Sequence, residues 1–291
     1  MEKREKGFYI AELIFSYIIF GSIGIFVKGI PLPSSVIAAF RGIVGALFIF
    51  LYMLIARKKI LRDEIKENAL KLFISGFAIG FNWIFLFESY RYTSIATATL
   101  CYYMAPVFVV AAAPIFLKER LTLKSVICIV VALAGMFLVS GASLGSATDI
   151  YGILFALAAA VLYASVIICN KKMGKIAAET RALLQLFVAG ITVLPYALIT
   201  NDIGKVTLST KAVILLFIIG IVHTGLAYAM TLGSVAKVEA GTVAVLSYID
   251  PIVAILLEAV LINKALPTVT VTLGAILILG ATAAASIKTR H

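Results

Sequence analysis

The chain has 291 residues, of which 63% are hydrophobic and 13% charged, and its mean hydropathy is +1.11. A soluble globular chain is roughly half apolar and about a quarter charged. This chain has too little polar surface to cover a soluble body of its size, its apolar content excludes disorder and a fibrous fold, and three cysteines exclude a disulfide scaffold. The formal net charge of +11 reads as cytoplasmic loops rich in Lys and Arg rather than as a nucleic-acid surface.

Apolar runs bounded by charge, Pro or Gly predict ten helices, at 8–28, 34–56, 70–89, 94–117, 124–141, 149–170, 179–199, 211–232, 239–262 and 267–287. The runs are apolar all round, whereas barrel strands would be about 10 residues with a two-residue period. Lys3, Arg4 and Lys6 precede the first run as they would in a signal peptide. That run is too long for a signal peptide, and no A-x-A pattern follows, so it reads as an uncleaved first helix. Of the 25 Lys and Arg, 19 fall on the side of the N-terminus, five on the other side, and Arg41 lies inside the second helix. The bias predicts a multi-pass protein of the cell (inner) membrane, surrounded by lipid, with both termini cytoplasmic and an even number of spans. Cys101, Cys128 and Cys169 lie in apolar runs without Cys-x-x-Cys spacing, so no metal site is expected.

The two halves match at an offset of about 145 residues: Thr97, Tyr103, Pro106, Leu121, Val126 and Gly135 fall on Thr242, Tyr248, Pro251, Leu266, Val271 and Gly280. Gly7 falls on Gly152 and Gly80 on Gly225. Register, helix count and the midspan prolines carry this match. The expected fold is an all-α membrane protein of ten transmembrane helices, built as two five-helix repeats over 7–143 and 149–287. Five is odd, so the second copy enters the bilayer from the other side. Inverted repeats suit alternating access around a midplane site.

The segment Thr97–Pro106 (TATLCYYMAP), followed by Phe116–Thr122 (FLKERLT), and its partner Thr242–Pro251 (TVAVLSYIDP) leading to Gly274 and Gly280, resemble the EamA-type transporters of the drug/metabolite transporter superfamily. The resemblance covers nearly the whole chain. It departs from the family pattern where Lys264 stands opposite Glu119 and Ile129 opposite Gly274. It implies transport, commonly outward, of amino acids, choline-like cations, nucleobases or other small metabolites. It also implies a central cavity lined by the fourth and ninth helices, the segments of Pro106 and Pro251.

Charged side chains within spans are costly and mark function. Asp250 sits mid-helix before Pro251, where a proline frees a carbonyl and bends the helix. Ser247, Tyr248 and Thr242 add hydroxyls nearby. The acid suits proton exchange or pairing with a cationic substrate, and Ala105 holds the equivalent place in the first copy. Glu258 lies about two turns further on nearly the same face. It is expected either to pass protons or cations to Asp250 or to pair with Arg41. Arg41 would otherwise hold a substrate carboxylate, and Arg41 with an acid would suit a zwitterion. Asn82, Trp83, Tyr103, Tyr228 and Tyr248 are midspan and would wall a cavity with rings and polar groups that hold ammonium. His223 is also midspan and reads as either a bonded structural residue or a proton relay.

No phosphate loop, dinucleotide fingerprint or hydrolase cluster is present in the sequence, and no cofactor is expected. The expected activity is secondary active transport, by export or exchange, of small organic metabolites, amino acids or related amines above all. The substrate-binding candidates are Asp250, Trp83, Tyr103, Tyr248, Asn82, Tyr228, His223 and Arg41. Asp250, Glu258, Pro106 and Pro251 are the coupling and gating candidates. The proton is the coupling ion the acid allows, and a monomer or homodimer is expected. The alternatives are a passive channel for small solutes and an intramembrane enzyme acting on lipids.

Overall fold

The fold is that of a computed structural model, which describes residues 3–116, 123–143, 147–201, 209–235, 246, 249–263 and 267–286. Among the described residues the chain is helical, with no strand. Six helices are long and apolar enough to cross a membrane: Gly7–Lys28, Ser34–Ile55, Arg62–Tyr92, Asp149–Lys171, Ala178–Thr200 and Thr210–Thr231, with shorter apolar helices besides.

The first half opens with α1 (Lys3–Lys28) and α2 (Ser34–Ile55). The chain leaves α2 through Arg57, which takes a positive φ of 51°, while the Lys58 N–H closes the last turn on the Met53 carbonyl at 2.9 Å. Next, α3 (Arg62–Tyr92) starts eight residues before the predicted 70–89 run. Its polar first turns carry Asp63 and Glu64, which favour a helix N-terminus. Asn68 then anchors the connection between α7 (Ala147–Lys171) and α8 (Ala178–Thr200), donating to the Glu64 carbonyl and accepting from the Gly174 N–H, each at 2.8 Å.

The predicted 94–117 helix is two pieces, α4 (Ile95–Tyr102) and α5 (Ala105–Phe116), with a break at Tyr103–Met104. The break precedes Pro106, which lacks an N–H and whose ring would clash with the carbonyl four residues earlier in a continuous helix. α6 (Leu123–Ser143) completes the half.

The second half holds α7 (Ala147–Lys171), α8 (Ala178–Thr200), α9 (Thr210–Ile218) and α10 (Ala227–Val235). A π-helical stretch, Ile219–Leu226, joins α9 to α10 without a break. α11 (Ile249–Leu257) runs into a second π-helical stretch, Glu258–Asn263, and α12 (Val269–Ser286) follows.

Contacts recur when the halves are exchanged. α2 packs on α8 and α6 on α12, each pair joining equivalent helices. The contact of α1 with α11 has its counterpart in that of α7 with α4 and α5; that of α1 with α10, in α7 with α3; and that of α3 with α8, in the 219–226 stretch with α2. Small residues permit the closest crossings. A Cβ on Gly42 would sit 2.7 Å from the Gly190 nitrogen, and one on Gly80 2.9 Å from the Ala189 carbonyl. Ala156, Ala160 and Ala164 of α7 are buried.

Candidate functional site

The break at Tyr103–Met104 sets Tyr103 against the start of α11. Its hydroxyl donates to the Asp250 carboxylate. Asp250 is half-buried, and Pro251 behind it is buried. Helix α1 reaches the same place because Gly21 leaves no side chain between it and the Asp250 backbone carbonyl. Four more phenols, Tyr17, Tyr90, Tyr102 and Tyr163, interact electrostatically with the acid. Tyr102 and Tyr163 lie ring to ring at 5.5 Å.

Arg41 faces this cluster from α2. It interacts electrostatically with Tyr228, Tyr102 and Tyr90, so Tyr90 and Tyr102 sense both charges. Its guanidinium carbon lies 4.1 Å from the Trp83 ring centroid and 5.3 Å from that of Phe87. Its Nε donates to Thr224 Oγ1 at 3.0 Å. Arg41 is 4% exposed, and among the described residues no carboxylate lies within ion-pairing distance of it.

Glu258 does not form the expected pair with Arg41. It is 2% exposed and accepts from the Ile95 backbone N–H at 2.8 Å and from Lys28 Nζ at 3.3 Å. Helix α1 ends at Lys28 and α4 begins at Ile95, so the acid lies near their shared end of the molecule. Beside it lies a cavity of about 450 Å³, whose lining includes Lys28, Ser34, Ile37, Phe87, Tyr90 and Arg91. Phe87 both lines this cavity and packs on Arg41. At its rim Glu88 accepts from the Ser34 hydroxyl and lies 3.7 Å from Arg91 Nε.

Asn82 and His223 are engaged in helix contacts. Asn82 donates to the Ala159 carbonyl of α7 at 2.6 Å and lies 3.5 Å from the Tyr102 hydroxyl. His223 is buried, with Nε2 2.9 Å from Ser22 Oγ and Nδ1 3.4 Å from the Ile218 carbonyl. Tyr228 stacks edge-on against Phe20 at 5.5 Å. Tyr248, Ser247 and Thr242 lie outside the described residues.

Sequence reasoning passed over Tyr17, Tyr90 and Thr224. The midspan tyrosine at 17 was a readable signal, whereas Tyr90 lies at the end of α3, where tyrosines are ordinary. For Thr224 no signal existed, because its role depends on the local helix pitch.

Tandem apolar helices around a half-buried acid and a buried arginine define a multi-pass membrane protein with an internal polar site. The chain belongs to the EamA-like transporter family, whose signature matches twice, over residues 8–141 and 150–287, so the family's domain is present as two repeats. It is 28% identical over 263 residues to the Bacillus subtilis (strain 168) protein named Uncharacterized transporter YxxF, covering 89% of this chain and 84% of that one. It is 29% identical over 207 residues to mouse (Mus musculus) Solute carrier family 35 member G1, covering 63% of this chain and 56% of that one. A solved crystal structure superposes with a TM-score of 0.66 at 18% identity, covering 96% of this chain and 97% of that one, a likeness of fold. The chain is therefore a transporter, not an enzyme, and works in a lipid bilayer on a small-molecule substrate.

Proposed function

We propose that this transporter is a secondary active exporter or exchanger of small organic metabolites, amino acids or related amines, working by alternating access. In this reading ten helices form two inverted repeats, 7–143 and 149–287, in the cell (inner) membrane with both termini cytoplasmic. The observation that carries the reading is the half-buried Asp250 carboxylate, held by the Tyr103 hydroxyl among tyrosines.

A carboxylate ringed by phenols suits an ammonium group, which the acid attracts and the ring faces hold. Arg41 with Trp83 faces the same cluster and suits the other end of a zwitterion. The contacts that recur on exchange of the halves support two related states with the gate exchanged. Asp250 is also the group suited to carry a coupling proton.

The test is counterflow in proteoliposomes loaded with amino acids or with their decarboxylated amines. Uptake driven by the trans solute, lost in Asp250→Asn, is expected. Large conductance without counterflow overturns the reading in favour of a channel.

A further inference from the structure

Arg41 is buried, charged and without a carboxylate partner among the described residues, an arrangement that costs stability unless a ligand completes it. Its surroundings fix its orientation from three directions. Trp83 lies under the guanidinium and Phe87 flanks it. Thr224 takes the Nε hydrogen at 3.0 Å.

Thr224 is itself fixed. Its hydroxyl proton goes to the Ile219 carbonyl, five residues back, at 2.9 Å. That bond spans one turn of the π-helical stretch Ile219–Leu226, and such turns recur at functional sites. The hydroxyl's remaining lone pairs are then aimed at Arg41. Gly45, one turn below Arg41 on α2, leaves room for the Thr224 methyl, which a Cβ there would meet at 2.5 Å. With Nε held from the side of α9 and α10, the far edge of the fork, Nη1 and Nη2, is left for a planar two-oxygen acceptor.

We infer that Arg41 is a receptor for the carboxylate of the transported solute, and that Thr224, through the π-helical turn, is the positioning residue that presents it. The inference rests on the small-metabolite reading and narrows it to carboxylate-bearing solutes.

Trp83 is the chain's single tryptophan, so its emission reports on this site without a label. The experiment titrates purified protein in detergent with L-leucine, with 4-methylpentanoate, which lacks the amine, and with 3-methylbutylamine, which lacks the carboxylate. Both carboxylates are expected to move the emission. Thr224→Val, which keeps shape but removes the acceptor, is expected to weaken them about tenfold, as does loss of a hydrogen bond to a charged group. Thr224→Ser is expected to stay within about twofold of wild type, since it keeps that acceptor. Gel filtration and thermal unfolding confirm that both variants are folded.

Equal losses in Thr224→Val and Thr224→Ser overturn the positioning role. Failure of both carboxylates to move the wild-type emission overturns the receptor. In that case a response to 3-methylbutylamine leaves the amine reading of Asp250 standing, and silence from all three removes that reading as well.

Discussion

The Glu258 carboxylate accepts the backbone N–H of Ile95 at 2.8 Å, tying the second half of the chain to the first turn of α4. The same acid holds Lys28 at the end of α1, so one side chain joins three helices at one end of the molecule. Helix N-termini leave N–H groups without intrahelical partners. Ser94 supplies one of these by accepting from the Thr97 N–H at 2.9 Å, and Glu258 supplies another.

Removing Glu258 should therefore loosen that end. Glu258→Leu leaves the Ile95 N–H without this acceptor and is expected to destabilise by about 1–3 kcal/mol. Glu258→Gln keeps an acceptor for Ile95 and loses the charge pair with Lys28, so about 1 kcal/mol is expected where the partner is part-exposed. Thermal unfolding in detergent measures both. Equal effects would show that the charge pair, not the backbone bond, matters.

Asp250→Asn should abolish counterflow of amines and amino acids at low solute, and any flux left at high solute should no longer depend on the pH difference across the membrane. Tyr103→Phe removes the donor to the carboxylate and is expected to change the apparent Km about tenfold, the scale of a hydrogen bond to a charged group. Initial rates in proteoliposomes decide both. Unchanged pH dependence in Asp250→Asn would strip the acid of its proton role.

At the α2–α8 crossing, Gly42 lies against Gly190 with no room for a methyl group. Gly42→Ala is expected to cost about 1–3 kcal/mol, the range of overpacked cores. Gly7, whose Cβ would meet nothing within 4 Å, is the control. Gly7→Ala should be neutral or raise stability by up to about 1 kcal/mol through helix propensity. The pair of unfolding temperatures checks both expectations.

Asn82→Ala removes the amide that joins α3 to the Ala159 carbonyl of α7. A stability loss of about 1–2 kcal/mol is expected from one buried hydrogen bond. Solute selectivity should stay as in wild type, measured by competition between amino acids and amines. A selectivity change would place Asn82 in the solute path.

Much of the fold was legible because burial in lipid writes itself as apolar runs. The break before Pro106 was not, because the apolar run continues across it and reads as one helix over 94–117. The first two turns of α3 were not, because residues 62–69 are mostly polar and continue the helix past the apolar run. Partner choice was equally hidden. Glu258 and Arg41 suggested one ion pair, but the packing gives Glu258 to Lys28 and Arg41 to Trp83 and Thr224. The π-helical stretches leave no mark in a pattern read at 3.6 residues per turn. Asp250 and Tyr103 stand out as candidates without any geometry, because each is a polar group inside an apolar run.

The exchange of contacts between the halves has a consequence for biosynthesis. Helix α1, the first to leave the ribosome, finds its neighbours in α10 and α11, which emerge among the last. The groove of α2 is filled by α8, and that of α6 by α12. A nascent first half thus waits in lipid with its inner faces uncovered. Late, concerted assembly is the expected outcome, with chains truncated before α12 degraded rather than accumulating as half-sized intermediates.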